Sequence, residues 1–268
     1  MARPSNLPDY KAPPVKEVAF SIQFERPESF NQMLVRDIWE LFKDQHPNSK
    51  IEPRLAPIFE TFSGAFRDTR KSNIKFEANQ GPIENRCVFY SSEKSEVIHF
   101  QSDRFSLIWK ESPEFEYPRY EPIFEEFKTA FCSLQKLFLE QDWGEIEPNQ
   151  CELVYSNRIP FEEIVDVASR IRIGSIHGLS DIEGFQFHFT QKIKSEGEPY
   201  ARVFVNAWTS LDSSNKPYLL LNITVRGRPL GESLSACWEF FDEAHVRIVE
   251  MFTQITSDAA HKDWGRTK

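Results

Sequence analysis

Residues 18–25, VAFSIQFE, alternate strictly between large apolar side chains and small or polar ones. A period of two residues is typical of a β-strand with one buried and one solvated face. A helical period follows, because apolar residues recur every three or four positions from Phe30 to Phe42, and Ser29 can cap the helix. The sequence therefore predicts a strand followed by a helix of roughly four turns.

The first half of the chain continues with strands and a second helix. A proline-rich stretch at residues 47–57 predicts a connecting loop. The second helix carries an apolar stripe from Ile123 to Phe138 and ends at Asp142-Trp143-Gly144. Short apolar runs separated by polar turns predict the intervening strands, at residues 59–66, 74–78, 87–91, 97–101 and 105–110.

The second half repeats this order. A strand at 151–159 precedes a short helix that opens at Pro160, and a long helix from Leu234 to Ile255 leads to a second triplet, Asp263-Trp264-Gly265. The strands between the helices are predicted at residues 185–193, 201–211 and 218–226. The repeated order indicates an internal duplication. We expect a proline-rich arm at residues 1–14, a first half at 15–146 and a second half at 147–268.

These elements predict an α+β fold in which the helices of two similar halves pack on one face of an antiparallel sheet. The other face is then expected to carry a contiguous patch of large aromatic residues. Arginines beside the patch would form a basic strip suited to an anionic ligand or an acidic partner. The patch packs between the halves or into a homodimer, or it binds a ligand or another protein. The expected binding residues are Phe187, Phe189, Trp208 and Tyr218, with Phe204 or Val205 beside them, and Arg202 and Arg226, with Arg228 nearby.

Composition excludes several classes of protein. The 268 residues are 40% hydrophobic, which is typical of a folded chain, and no apolar run approaches the roughly 20 residues that span a bilayer. A net charge of −9 argues against nucleic acid as the main partner. The proline-broken N-terminus does not resemble a secretory signal, so the sequence predicts a cytoplasmic protein. The four cysteines, Cys87, Cys132, Cys151 and Cys237, form no CxxC pair and are expected to be reduced and buried.

The chain lacks the common catalytic motifs, including glycine-rich phosphate loops, GxSxG and HExxH. We therefore predict no cofactor and no metal. Asp242 and His245 lie three positions apart on the last helix, so a carboxylate could orient an imidazole there, with Tyr120 as a third weak catalytic candidate. A histidine at the edge of the core is the alternative interpretation. Ser175 and His177 lie in a loop without an orienting third group, which favours a turn.

Several short motifs together resemble a sporadically distributed family of bacterial proteins of about this length. No reaction is assigned to that family, so the resemblance implies no catalytic residues. Its patchy occurrence implies an accessory gene of the kind found in defence or toxin–antitoxin operons. The motifs are Pro13-Pro14-Val15-Lys16-Glu17-Val18, Gln101-Ser102-Asp103-Arg104-Phe105 with Trp109, Tyr117-Pro118-Arg119-Tyr120 with Phe127, Phe241-Asp242-Glu243-Ala244-His245 with Phe252, and His261-Lys262-Asp263-Trp264-Gly265.

Three functions are consistent with these patterns. The first is a non-enzymatic protein-interaction module, antitoxin-like or a defence-operon accessory, that binds a protein through the aromatic face or the proline-rich arm and also forms a homo-oligomer. The second is a sensor that holds a small molecule between the two halves with aromatic residues and an arginine. The third is an enzyme whose site includes Tyr120, Asp242 and His245.

Overall fold

The computed structural model describes residues 7–62, 85–114, 116–172 and 182–268. These residues form one nine-stranded antiparallel sheet and five α-helices, which confirms the α+β class. The strands are β1 (Val15–Phe24), β2 (Asn48–Pro53), β3 (Asn85–Tyr90), β4 (Glu96–Gln101), β5 (Arg104–Lys110), β6 (Pro148–Pro160), β7 (Gln186–Ser195), β8 (Glu198–Leu211) and β9 (Pro217–Gly227). Their order across the sheet is β2-β3-β4-β5-β1-β6-β9-β8-β7.

The helices differ greatly in length. Two long ones, α2 (Tyr120–Glu140) and α4 (Leu234–Ile255), contrast with three short ones, α1 (Val35–Phe42), α3 (Ile164–Arg170) and α5 (Asp258–Asp263). None of the helices in the described ranges is long and apolar enough to cross a membrane.

Strand β1 lies at the centre of the sheet, antiparallel to β5 on one side and β6 on the other. Its apolar row faces α2 and α4. Phe20 is fully buried and its ring stacks on Phe124 and Phe127 of α2, with Phe241 of α4 at 5.5 Å between ring centroids. The alternation in residues 18–25 therefore sets which face of the sheet the helices cover; we call this the inner face and the opposite one the outer face.

Counted outward from the central pair, the strand order is the same on both sides. From β1 the neighbours are β5, β4 and β3, with β2 added at the edge; from β6 they are β9, β8 and β7. The antiparallel β1–β6 pair joins the two sets. The duplication itself stays a prediction.

Two local predictions for the first half are corrected. Residues 48–53 form the edge strand β2 and not a loop, because an edge strand tolerates proline where no ladder donor is needed, as at Pro53. The first helix begins later than expected, with a 3₁₀ turn at Gln32–Leu34 followed by α1, while Phe30 is buried ahead of both. The strand predictions at 59–66 and 74–78 fall largely on residues 63–84, outside the described ranges, and residues 59–62 form no strand.

The described part of the predicted arm packs against the C-terminal segment. Leu7 and Tyr10 are buried, and the amides of Lys11 and Ala12 donate to the carbonyls of Gly265 and Trp264, each at 3.1 Å. These apolar anchors explain why residues 7–14 join the fold. The expectation of an arm preceding the fold is therefore corrected for these residues.

All four cysteines are unbridged, and three of them, Cys87, Cys151 and Cys237, are buried as expected. Cys132 is exposed on α2, which corrects the prediction of a fourth buried thiol.

Candidate functional site

The three weak catalytic candidates lie together between the two long helices. Tyr120 is the first residue of α2, and its hydroxyl donates to Asp242 Oδ1 of α4 at 3.1 Å. The Tyr120 ring stacks on the imidazole of His245 with 4.0 Å between centroids and 8° between planes. Because Asp242 and His245 lie one turn apart on α4, both reach the same tyrosine.

Two further tyrosines, which sequence reasoning did not select, complete this cluster. The Tyr155 hydroxyl lies 3.1 Å from His245 Nδ1. The Tyr117 hydroxyl donates to the Tyr155 hydroxyl at 3.2 Å. The Tyr155 hydroxyl therefore contacts two members of the cluster at once, Tyr117 and His245. A signal was present in the sequence, because Tyr155 falls on the inward row of residues 151–159 with its hydroxyl needing a buried partner.

Burial keeps the phenols of Tyr120 and Tyr155 protonated. It raises the pKa of Tyr155 well above its usual value, and it raises the pKa of Tyr120, with the nearby Asp242 charge adding to the effect. The tyrosines therefore act as hydrogen-bond donors at neutral pH. The cluster can orient an imidazole and hold a small polar molecule.

A cavity of about 610 Å³ adjoins this cluster on one side. It opens between the start of α2, the length of α4 and the β7–β8 turn, and its walls include Tyr120, Asp242, His245 and Tyr200. Carboxylates dominate its charged lining, which includes Glu121, Glu239, Glu243 and Glu250 against Arg247. No group of three or more histidine, cysteine, aspartate or glutamate side chains placed to hold a metal ion occurs among the described residues.

The predicted aromatic patch is divided between the two faces of the sheet. Phe187 and Phe189 of β7 lie opposite Ala207 and Val205 of β8, which are buried on the inner face, so both phenylalanines pack against the core. Trp208 lies on the outer face. The prediction of a single contiguous patch of all four aromatic residues is therefore wrong. Successive residues of a strand point to opposite faces of the sheet, so residues an odd number of positions apart cannot share a face.

A smaller outer-face patch remains on β8 and β9. Trp208 lies directly opposite Leu220, and Tyr218 is two residues from Leu220 on the same row. Phe204 is four residues before Trp208 on β8 and therefore shares its face. Trp208 is 38% exposed, and the other three are partly exposed. We define these residues, Phe204, Trp208, Tyr218 and Leu220, as the outer patch.

A groove of about 430 Å³ runs beside the outer patch. Amide side chains line it, because Asn206 and Asn222 lie opposite each other on β8 and β9 and Gln186 follows on β7. Asn222 Oδ1 is buried and accepts no hydrogen bond from any residue in the described ranges. The groove thus places amide side chains beside an exposed indole, a combination that sequence reasoning missed.

The expected basic strip is neutralised within the chain. Arg202 of β8 and Arg226 of β9 are cross-strand neighbours, and both pair with the carboxylate of Glu60, while Arg226 also bonds Glu152 at 2.7 Å. Arg228 is exposed at the end of β9. Two arginines and two glutamates sum to zero charge, so this part of the outer face is not a basic surface.

Ser175 and His177 lie outside the described residues.

No known family model, curated protein or solved structure matches the chain. The resemblance to the sporadic bacterial family therefore stays a prediction.

Proposed function

We propose that the chain is a non-enzymatic protein-interaction module whose binding surface is the outer patch with its adjoining groove. The observation that carries the proposal is an exposed indole, Trp208, opposite Leu220 on a sheet face that neither long helix covers. Large apolar side chains clustered on a surface mark a contact site more often than isolated ones do. Tryptophan and tyrosine are also the residues enriched at the centre of protein interfaces.

The chemistry of the groove favours a polypeptide as the partner. Asn206, Asn222 and Gln186 line the groove with amide side chains, and amide groups can bond a peptide backbone. Nucleic acid fits poorly, because the arginines of this face are paired with Glu60 and Glu152 and the chain carries a net charge of −9.

We also propose that the two halves, residues 15–146 and 147–268, arose by duplication. The identical strand order outward from β1 and from β6 supports this origin. In the second half Trp208 and Leu220 occupy the outer face of the strands that correspond to β4 and β5. In the first half the corresponding outer face carries the buried residues Val97 and Ile108. The binding surface would thus be a specialisation of one half.

The partner is proposed to be encoded beside this gene, as in an antitoxin-like or defence-operon accessory pair in the bacterial cytoplasm. A second copy of the chain is the competing occupant of the same patch, and a homo-oligomer would bury it equally well.

The test is co-purification of the tagged chain with the product of the neighbouring gene. Trp208→Ser removes the exposed indole, whereas Leu139→Ser removes a large apolar side chain, 58% exposed, from the helix side. We expect Trp208→Ser to abolish the complex and Leu139→Ser to keep it, with both variants melting like the wild type. Equal retention by both variants refutes the proposal.

Solution mass distinguishes a second copy from a different partner. A wild-type mass of twice 31.4 kDa that falls to 31.4 kDa in Trp208→Ser assigns the patch to a homodimer.

The cavity of about 610 Å³ beside Tyr120, Asp242 and His245 favours a second candidate, a small-molecule sensor. Its volume is in the range of ligand pockets, and it lies between α2 of the first half and α4 of the second. The carboxylate lining favours an organic cation. Thermal shift with a panel of small amines would show stabilisation of the wild type and none of Asp242→Asn; no shift with any amine refutes this candidate.

A further inference from the structure

Residues 54–62, RLAPIFETF, cross the outer face of the sheet as an irregular segment that we call the strap. The strap contacts Gln101 at the end of β4, Gln23 of β1 and Gln150 of β6, and it reaches Arg226 and Arg202 on β9 and β8. It therefore spans most of the width of the sheet without being one of its strands.

Side chains of the sheet bind the backbone of the strap. Gln101 accepts from the Leu55 amide at 3.1 Å and donates to the Leu55 carbonyl at 2.9 Å, so it satisfies both backbone groups of one residue. Gln23 accepts from the Ile58 amide at 2.9 Å, and Arg104 donates to the Ala56 carbonyl at 3.3 Å. These contacts do not depend on the identity of the strap residues and would suit any extended polypeptide.

The carboxylate of the strap is bound between two arginines of the sheet. The carboxylate of Glu60 is 3% exposed and is held between Arg202 and Arg226, with Arg226 Nε donating to Oε1 at 2.8 Å. Arg202 also donates to the Thr61 carbonyl at 2.6 Å, and its guanidinium lies 4.2 Å from the centre of the Phe62 ring. The site thus recognises a carboxylate side chain and an aromatic ring two residues after it.

The large apolar side chains of the strap contribute little burial. Leu55, Ile58 and Phe59 are 41%, 40% and 50% exposed, although all three are large and apolar. The strap is therefore held by its backbone, by Glu60 and by an ion pair of 2.6 Å between Arg54 and Asp103, and not by a hydrophobic core. Such an attachment can be replaced, group for group, by another extended segment that carries a carboxylate.

We propose that the strap is an internal ligand, and that the partner's binding segment is an extended acidic peptide that displaces it from Gln101, Gln23 and the Arg202–Arg226 pair. The proposal rests on the proposed function, since it names the chemistry of the partner at the same outer face. With a rise of about 3.3 Å per residue, Asn206 in the groove lies about 13 Å along β8 from Arg202. One extended segment can therefore contact both the Arg202–Arg226 pair and the groove.

The test uses the strap sequence itself as the probe. A labelled peptide of residues 54–62 is titrated into the full chain carrying Glu60→Lys, in which a lysine beside two arginines expels the resident strap. We expect the variant to bind the peptide. A peptide carrying Glu60→Gln should bind about tenfold or more weakly, since it lacks the charged acceptor. The wild type should bind at least about tenfold more weakly than the variant, because its tethered strap competes at an effective concentration on the millimolar scale.

Failure of a folded Glu60→Lys chain, verified by circular dichroism, to bind the peptide at about 1 mM overturns the proposal. If that variant does not fold, amide hydrogen exchange of the wild type decides the question. Excess peptide should lower protection at the Leu55 and Ile58 amides while leaving the β1 amides unchanged. Unchanged protection at the strap overturns the proposal as well. If the peptide experiments fail but the Trp208-dependent complex is still observed, the proposed function stands and only the proposal about the strap is refuted.

Discussion

Gly227→Ala is expected to destabilise the fold because β8 and β9 approach too closely there for a side chain. Gly227 lies opposite Ala201 of β8 on one side and Cys151 of β6 on the other, so no sheet edge relieves the contact. A Cβ added at Gly227 would lie 2.4 Å from the Tyr200 carbonyl oxygen and 2.5 Å from Ala201 Cβ. The first obstacle is backbone, which cannot rotate away as a long side chain would.

The magnitude follows from two opposing contributions. Overpacking a filled interior costs about 1–3 kcal/mol, and a backbone obstacle places this site at the upper end. Replacing glycine by alanine restores about 0.4–1 kcal/mol by restricting the unfolded chain. The net loss in the free energy of unfolding is therefore about 2–2.6 kcal/mol. For a chain of this size each kcal/mol lowers the melting temperature by about 2–4 °C.

Gly184→Ala supplies the matched control, because a Cβ there would meet only Thr209 Oγ1 at an ordinary 3.6 Å. Urea unfolding of both variants beside the wild type measures the difference, with an unchanged slope showing that only stability has moved. We expect Gly184→Ala to be neutral or slightly stabilising. Equal stability of Gly227→Ala and the wild type would refute the close-approach argument and the strand register on which it rests.

Three further outcomes follow from buried polar groups and from the exposed thiol. Tyr155→Phe removes the hydroxyl that bonds His245 Nδ1 and should lower the free energy of unfolding by about 1–3 kcal/mol in urea titrations. Burial and the hydrogen bond to Glu96 raise the pKa of Glu126 from 4.5 to about 8. Since that pKa rises on folding, wild-type stability should fall as the pH rises from about 4.5 to 8, and Glu126→Gln should flatten that slope in a pH series of unfolding curves. Cys132 is the exposed cysteine, so a thiol reagent should modify one sulfur in the native protein and four after denaturation; rapid modification of more than one thiol in the native state would contradict the burial of the others.

Local periodicity predicted most of the elements because each of them is a short-range property. The strands at 87–91, 97–101 and 105–110 and the helix stripe from Ile123 to Phe138 all correspond to observed elements. Prediction was weakest where a distant partner decides the outcome. Residues 48–53 become a strand only because they pair with β3, and the prolines around them concealed this.

The cluster of Tyr120, Asp242 and His245 could be proposed in part from sequence, since two of its members share one face of α4. The aromatic patch could not, because both rows of the β7–β9 strands carry apolar residues. Phe187 lies on one row and Trp208 on the other. Alternation shows only that successive residues point to opposite faces of the sheet, and it does not show which row faces the helices.

By itself, the sequence determined the α+β class, the first strand with its buried row and the two long amphipathic helices. These depend on periods of two and 3.6 residues, which the chain carries locally. Only the tertiary structure decided the register that separates Phe187 from Trp208 and the pairing of Glu60 with Arg202, 142 residues apart. The physical reason is that cross-strand neighbours and a strap across a sheet are fixed by long-range packing, and no local pattern encodes the distance between them.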